Sequence, residues 1–474
     1  MTTTLRPYSR YQETRHSWLG MIPSHWEARR LKQATKVNPG RGEVSQFLSR
    51  DLPVTFLPME KVGSDGRIDP RELRPISEVW SGFTYFQRDD VIVAKITPCF
   101  ENGKGACLDG LSTPIGFGST EFIVVRATEA VLPRYLYRIT TLPEFRIRGA
   151  DAMTGSAGQQ RVPTSFVENY VVSIPPLQEQ GAIVRFLDHS DQKIRRFIQA
   201  KRRLIELLNE QKRSVIGGIV TRGADPYSPR KNSGISWAPE IPSSWEVSKV
   251  KNEFECLNSR RIPLSGVERG KMTSRTFDYY GASGVIDKVD DYIFDEDLLL
   301  IAEDGANLVS RNLPLAITAR GRYWVNNHAH ILKPLRGDLD YLALLMEVVD
   351  YLPWISGAAQ PKLTRDRLMA VSLPIPPPEQ QPILKAIIGQ ETKTLGKAID
   401  RSKQEISLIR EYRTRLIADV VTGKLDVREA AERLPLLTEQ ESLDDGSLDL
   451  VALDPEEAGG LDDDPQLLPV ADEE

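Results

Sequence analysis

The feature that most limits how this chain can fold is that it contains itself twice. Pro175-Pro176-Leu177-Gln178-Glu179-Gln180 returns 201 residues later as Pro376-Pro377-Pro378-Glu379-Gln380-Gln381, and each copy opens a stretch patterned for a long helix. Proline suits that place because the first turn of a helix has no use for its backbone N–H groups. In the first stretch Leu187, Ile194, Leu208 and Val215 step by sevens with Lys201 at the skipped position, while Ile198, Ile205 and Ile219 run beside them and skip Lys212. The second stretch repeats both rows at the same offset, as Ile388, Leu395, Ile409 and Leu416 and as Ile399, Ile406 and Val420, with Ser402 and Arg413 at the skipped positions. Two apolar rows of period seven form a narrow seam against one other long helix, and polar residues within such a seam fix partner and register. The expectation is that the two copies pair with each other. The alternative is two amphipathic helices, each buried on its own domain.

Each half also opens on a related phrase, Ile22-Pro23-Ser24-His25-Trp26-Glu27 and Ile241-Pro242-Ser243-Ser244-Trp245-Glu246, whose tryptophan reads as a core anchor. In the first half, residues 90–97 (DVIVAKIT) and 120–127 (TEFIVVRA) are β-branched runs that predict buried strands, joined by a Gly-rich connection over 98–119. Residues 133–148 predict a helix that Pro143 can split. The loop Thr154-Gly155-Ser156-Ala157-Gly158-Gln159-Gln160-Arg161 follows. Its small residues let backbone approach a ligand closely, and Gln and Arg are side chains that fork onto base edges; a plain surface turn is the competing reading. The second half predicts strands at 297–303 (DLLLIAE) and around 323–332, a helix over 339–349, and the loop Gly357-Ala358-Ala359-Gln360-Pro361-Lys362 at the same 201-residue offset.

Charge and cysteines narrow the class. The net charge is −5, yet the stretch after Arg433 holds 14 acidic and no basic residues, which leaves the remainder at +9. That acidic stretch is poor in aromatics and reads as disordered. Residues 1–174 carry 22 basic and 18 acidic residues and 226–374 carry 18 and 19, so charge alone argues weakly for a nucleic-acid binder. Cys99, Cys107 and Cys256 are odd in number and lack C-x-x-C spacing, which fits neither a disulfide framework nor a zinc module and suggests a reduced, cytoplasmic protein. Neither a signal peptide nor a membrane-spanning segment is expected.

Catalytic machinery is not legible. There is no G-x-x-x-x-G-K-[ST], and neither F-x-G-x-G nor [DN]-P-P-[YF], the phrases expected of an adenine methyltransferase. The E-x-K triplets Glu210-Gln211-Lys212 and Glu391-Thr392-Lys393 fall on the predicted long helices, where a solvated charge pair is the simpler reading. His328-Ala329-His330 puts two imidazoles on one face of a predicted strand, but no third metal ligand is evident.

At this point the residues resemble a known family. The domain-helix-domain-helix order, the two PP-x-x-x-Q units and the two I-P-x-x-W-E openings look like the DNA-specificity subunit of Type I restriction-modification systems. So do the phrases Ala94-Lys95-Ile96-Thr97-Pro98, Gly118-Ser119-Thr120-Glu121-Phe122, Tyr280-Gly281-Ala282-Ser283-Gly284, Ala302-Glu303-Asp304-Gly305-Ala306-Asn307 and Asn326-Asn327-His328-Ala329-His330. The likeness covers roughly residues 15–430; the acidic tail departs from the usual plan.

The resemblance implies a mixed α/β fold with two α/β target-recognition domains, separated and joined by two long helices that form an antiparallel coiled coil, in an internal pseudo-twofold duplication. The expected divisions are a first target-recognition domain over 1–174, a central helical region over 175–225, a second target-recognition domain over 226–374, a C-terminal helical region over 375–433 and an acidic tail over 434–474. It implies a non-catalytic reader of double-stranded DNA, each α/β domain taking one half of a bipartite, asymmetric target. Partners would be two methyltransferase subunits, with restriction/translocase subunits as a further class. No cofactor is expected on this chain; S-adenosylmethionine, ATP and Mg belong to the partner subunits. A helix over 178–219 is roughly 60 Å long at ~1.5 Å per residue, comparable to about 18 base pairs. Residues expected at or near DNA are Lys95, Lys104, Gln159, Gln160 and Arg161 in the first half and Asn307, His328, His330, Gln360 and Lys362 in the second. The competing classes are a self-contained DNA methyltransferase or nuclease, and a helical adaptor that does not touch DNA.

Overall fold

The structure, a computed structural model, describes residues 5–156, 159–357 and 360–435. Ala157, Gly158, Ala358 and Ala359 of the two loops, and the expected acidic tail from residue 436 on, lie outside the described residues. The described chain divides into two compact units, one of residues up to 200 together with 405–435, the other of residues 201–404. The division falls inside both long helices, Leu177–Arg222 and Gln381–Val421.

The repeat seen in the sequence holds strand for strand. In the first unit one four-stranded antiparallel sheet has the order Thr35–Val37, Phe122–Ala127, Val91–Ala94, Gly105–Cys107. A second sheet has the order Leu73–Pro75, Pro53–Leu57, Ile115–Gly118, Thr84–Gln87, with its two middle strands parallel. The second unit has the same two sheets, Phe254–Cys256, Ala329–Pro334, Leu298–Ala302, Ala316–Ala319, and Gly284–Val289, Phe277–Gly281, Arg322–Val325, Phe294–Asp295, again with a parallel middle pair in the latter. The expected runs 90–97, 120–127 and 297–303 are the central strands of the antiparallel sheets, and every residue of Val91–Ala94 and Leu298–Ala302 is buried. Both faces of these strands are covered, which is why they read as continuous apolar runs.

Two expectations need correction. The connection over 98–119 holds two strands, Gly105–Cys107 and Ile115–Gly118. The second of these threads between neighbours where a Cβ on Gly116 would lie 2.5 Å from the Phe86 ring, so its glycines serve close packing rather than a loop. The single strand expected around 323–332 is two, Arg322–Val325 and Ala329–Pro334, in different sheets, because the Asn326-Asn327-His328 turn moves the chain from one to the other. The helix expected over 133–148 is split at Pro143, as its sequence allowed, into Pro133–Thr140 and Pro143–Asp151.

The long helices pack antiparallel within each unit. In the first, Ser173, just before the first helix, donates its hydroxyl to the Val421 carbonyl at the end of the second (3.3 Å), and Asp191 pairs with Arg413 (2.8 Å). In the second, Ile216 and Val220 share a core with Ile388 and Leu384. All fourteen residues of the two seam rows are buried or half-buried. The opening phrases lock onto the helix starts: Trp26 and Trp245 are fully buried, and their indole N–H groups donate to Glu179 (3.0 Å) and Gln380 (3.3 Å), which stand 201 residues apart. No helix among the described residues is long and apolar enough to cross a membrane.

Candidate functional site

Lys95, Gln159, Gln160 and Arg161 in the first unit, and His328, His330, Gln360 and Lys362 in the second, stand where three segments meet at the end of the central buried strand. In the first unit Val91–Ala94 runs into Lys95, the strand Phe122–Ala127 begins after Glu121, and the loop over 154–161 closes the junction. Backbone hydrogen bonds tie them: Lys95 N donates to Glu121 O (2.8 Å), Val162 N to Lys95 O (2.8 Å) and Thr97 N to Gln160 O (3.0 Å). Thr154 and Arg161 exchange a pair at 3.0 and 2.9 Å, closing the loop as a small hairpin.

The second unit builds the same frame. Glu303 N donates to His328 O (2.9 Å), Leu363 N to Glu303 O (2.8 Å) and Gly305 N to Pro361 O (3.1 Å), while Ser356 and Lys362 exchange a pair at 2.9 and 2.8 Å. Each loop turns on a glycine of positive φ, Gly155 at +125° and Gly357 at +86°. A Cβ on either would run into the carbonyl of Gln159 or Gln360, so both positions demand glycine.

On this shared backbone the charges are inverted. The position before the second strand is Glu121 in the first unit and His328 in the second, and the position after the central strand is Lys95 in the first and Glu303 in the second. The loop ends in a cation in both cases. The Glu121 carboxylate accepts from Arg161 Nε (2.9 Å) and Nη2 (2.8 Å), and this bond, against the pull of partial burial, keeps its pKa below the usual carboxylate value. Lys362 Nζ lies 3.4 Å from Glu303, which Arg261 also pairs at 2.6 Å. A cation bonded to an acid at the end of the loop has part of its hydrogen-bond donors held in place.

Individual residues differ in what they can offer. Gln159, Gln160 and Gln360 are exposed. Lys95 is half-buried within the junction, and Lys104, also half-buried, donates Nζ to the Met59 carbonyl (3.2 Å). Asn307 holds its own loop, accepting from Leu313 N (2.8 Å) and donating to Leu313 O (3.0 Å) and Ser283 Oγ (3.2 Å).

The two histidines do not share a face. His328 lies in the turn before the strand, half-exposed, with Nδ1 2.9 Å from Asp304. His330 points inward at 0% exposure; its Nε2–H donates to the Leu363 carbonyl (2.7 Å) and Nδ1 accepts from Asn258 (2.8 Å). Burial pushes the pKa of His330 down, and the side chain braces the loop from beneath. No group of three or more metal-ligating side chains occurs among the described residues. Sequence reasoning singled out the cations and missed their partners Glu121, Glu303 and Asp304, although all three stood inside the quoted phrases.

The Asp304 carboxylate raises the pKa of His328 above its ordinary value, and this outweighs the effect of partial burial. A raised value means that the pair contributes stability below the unfolded histidine pKa of about 6.5 and loses it as pH rises through the folded value. We expect the His328 ring protons, followed by NMR, to titrate with a midpoint above about 6.5, and Asp304→Asn to return the midpoint toward it. A midpoint at or below the ordinary value in the parent chain would remove the ion pair from this account.

Comparison with known proteins bears on both units. A family model described as the Type I restriction modification DNA specificity domain matches residues 81–207 and 242–406. Over 197 residues the chain is 37% identical to the Type I restriction enzyme EcoAI specificity subunit of Escherichia coli, covering 40% of this chain and 33% of that protein. It is 36% identical, also over 197 residues, to the EcoEI specificity subunit of the same organism, covering 40% of this chain and 32% of that one. The chain thus matches about a third of the length of these two relatives. The MjaVIII specificity subunit of Methanocaldococcus jannaschii is 23% identical over 314 residues, 62% of this chain and 70% of that protein. A solved chain from work on complex assembly and conformational transition of the type I R-M system superposes with a TM-score of 0.57 at 15% identity, covering 85% of this chain and 99% of that one, which shows a common fold.

Proposed function

The chain belongs to the family defined by the Type I restriction modification DNA specificity domain, and from that premise we propose that it is the non-catalytic DNA-reading subunit of a restriction-modification complex. Each α/β unit reads one half of a split target through its three-segment junction. The observation that carries this reading is the pair of junctions: one backbone frame, built twice, bearing opposite charges at equivalent positions. A frame kept for stability alone has no need of different polar side chains at its mouth. A frame that reads two different half-sites does, because sequence is discriminated by the donors and acceptors that meet the base edges.

The long helices set the spacing between the half-sites and dock methyltransferase subunits. Those subunits supply S-adenosylmethionine chemistry and methylate adenine, and restriction/translocase subunits supply ATP- and Mg-dependent cleavage. The modest charge of this chain is consistent with that division, since partners embracing DNA provide phosphate contacts while this subunit provides base contacts.

The test is the adenine-methylation map of the source genome with and without the gene. Methylation at a split, asymmetric motif is expected to vanish on deletion; an unchanged map, or loss at a true palindrome, would overturn the proposal. Within the complex, Gln159→Ala is expected to weaken binding to one half-site and Gln360→Ala to the other, by about 1–3 kcal/mol if each amide forks onto a base. Fluorescence anisotropy with half-site-scrambled duplexes reads this, and unchanged affinity for all duplexes would remove these two residues from the interface.

A further inference from the structure

The Arg161 guanidinium has five N–H groups, and the structure accounts for three of them. Nε–H and one Nη2–H go to the Glu121 carboxylate at 2.9 and 2.8 Å, and one Nη1–H goes to the Gln159 carbonyl at 3.2 Å. What remains is one N–H on each of Nη1 and Nη2. The side chain is 43% exposed, while Glu121 behind it is 23% exposed and anchored where its own backbone carbonyl accepts from Lys95. The guanidinium is therefore partly exposed and held by Glu121 and the Gln159 carbonyl, with a donor left on each terminal nitrogen for a fork.

Among the polar edges of the four bases in the major groove, only guanine offers two acceptors, O6 and N7, spaced for such a fork; adenine sets a donor beside its acceptor. We infer that Arg161 reads a guanine in the half-site of the first unit and that Glu121 is its positioning residue. This deepens, and rests on, the DNA-reading function proposed above. The second unit does not carry the same planar fork at the equivalent place. Lys362 carries a compact ammonium with no fixed plane, and its acid, Glu303, is already engaged by Arg261. The exchange of Arg161 for Lys362 between the junctions thus gives one half-site a G·C pair read by a planar fork that the other junction does not carry at this place.

The experiment is selection from a randomised duplex pool by the complex assembled from this chain and its partner subunits, in the parent form and with Arg161→Lys or Glu121→Gln. Arg161→Lys keeps the positive charge and loses the fork; discrimination for one G·C pair in one half-site should fall about 10- to 100-fold, with the other half-site and the affinity for random DNA unchanged. Glu121→Gln keeps the arginine and loosens its support, and should relax the same pair about 3- to 10-fold. Relaxation at one shared pair by both variants, with melting temperatures near the parent's, supports the assignment. A motif that Arg161→Lys leaves unchanged, or alters in both half-sites, overturns it while the DNA-reading function stands. A parent complex that enriches no sequence overturns that function as well.

Discussion

Asp191→Ala is expected to cost the first unit about 3–5 kcal/mol, because it takes from the buried Arg138 and the half-buried Arg413 the counter-ion they share. Asp191 is 2% exposed on the first long helix and meets Arg138 Nη1 at 2.5 Å and Arg413 Nε at 2.8 Å. Arg138, on the helix Pro133–Thr140, is itself 6% exposed and also pairs with Asp188 at 2.6 Å. Three helices of the unit are thus pinned by one carboxylate. Such a pin contributes little to stability over well-packed apolar side chains, but removing one member is strongly destabilising, since Arg138 stays charged and buried and Arg413 half-buried.

The pH dependence has a definite sign. Burial pushes the Asp191 carboxyl up, and the attraction of Arg138 and the bond from Arg413 outweigh it, so its pKa lies below the ordinary carboxylate value. A depressed pKa contributes stability that is present above the unfolded value of about 3.9 and lost as pH falls through the folded one. The gap between parent and variant should therefore be full at neutral pH and close only below about pH 4. Urea unfolding followed by amide exchange of the helix around Asp191 measures it. Thr392, 201 residues on, is the internal control: its hydroxyl donates to the Ile388 carbonyl of its own helix (2.7 Å), and Thr392→Ala should cost under about 1 kcal/mol. Equal losses at the two positions would refute the account.

This cluster also shows where the sequence stops being informative. The seven-residue rows and the matched interruptions gave the helix pairing, and Arg413 was visible as a break in the seam. Its partner was not, because Asp191 stands one step of seven before Ile198, ahead of the first apolar residue of that row, where a polar residue reads as solvent-facing by default. The buried strands at 91–94 and 298–302 were legible because they are apolar on both faces. The second sheet of each unit was not. Its strands are short, carry residues such as Gly116, Gly118 and Arg322, and pair in parallel with segments far away in the chain, so no local period marks them. At the candidate site the loops were found by their glycines and glutamines. The division into an outward His328 and an inward His330 depends on where a turn ends and a strand begins, which a two-residue spacing does not fix.

The second large effect is expected at the glutamine that ends the PP-x-x-x-Q unit. Gln180 is fully buried; its side-chain oxygen accepts from Leu132 N (2.8 Å) and its amide donates to the carbonyls of Ala130 (3.0 Å) and Pro175 (2.8 Å). One side chain thus joins the start of the long helix to the backbone leading into the helix at Pro133, and satisfies three backbone groups. Its counterpart Gln381 accepts from Asp338 N (2.8 Å) and donates to Pro376 O at a longer 3.2 Å. Each group orphaned in the interior costs about 1–3 kcal/mol, and a carbonyl costs less than an N–H because relaxation can redirect its lone pairs. Gln180→Ala should therefore destabilise its unit by about 2–4 kcal/mol and Gln381→Ala by somewhat less, with any loss of DNA binding following the loss of fold. Chemical denaturation of each variant beside anisotropy on folded protein separates these two. If Gln180→Ala leaves stability within about 0.5 kcal/mol of the parent and abolishes binding, the repeated glutamine belongs to an interface. If stability falls and the protein that remains folded still binds, the phrase by which the two halves resemble each other is a joint of the scaffold, and discrimination between half-sites rests with the junctions where the halves differ.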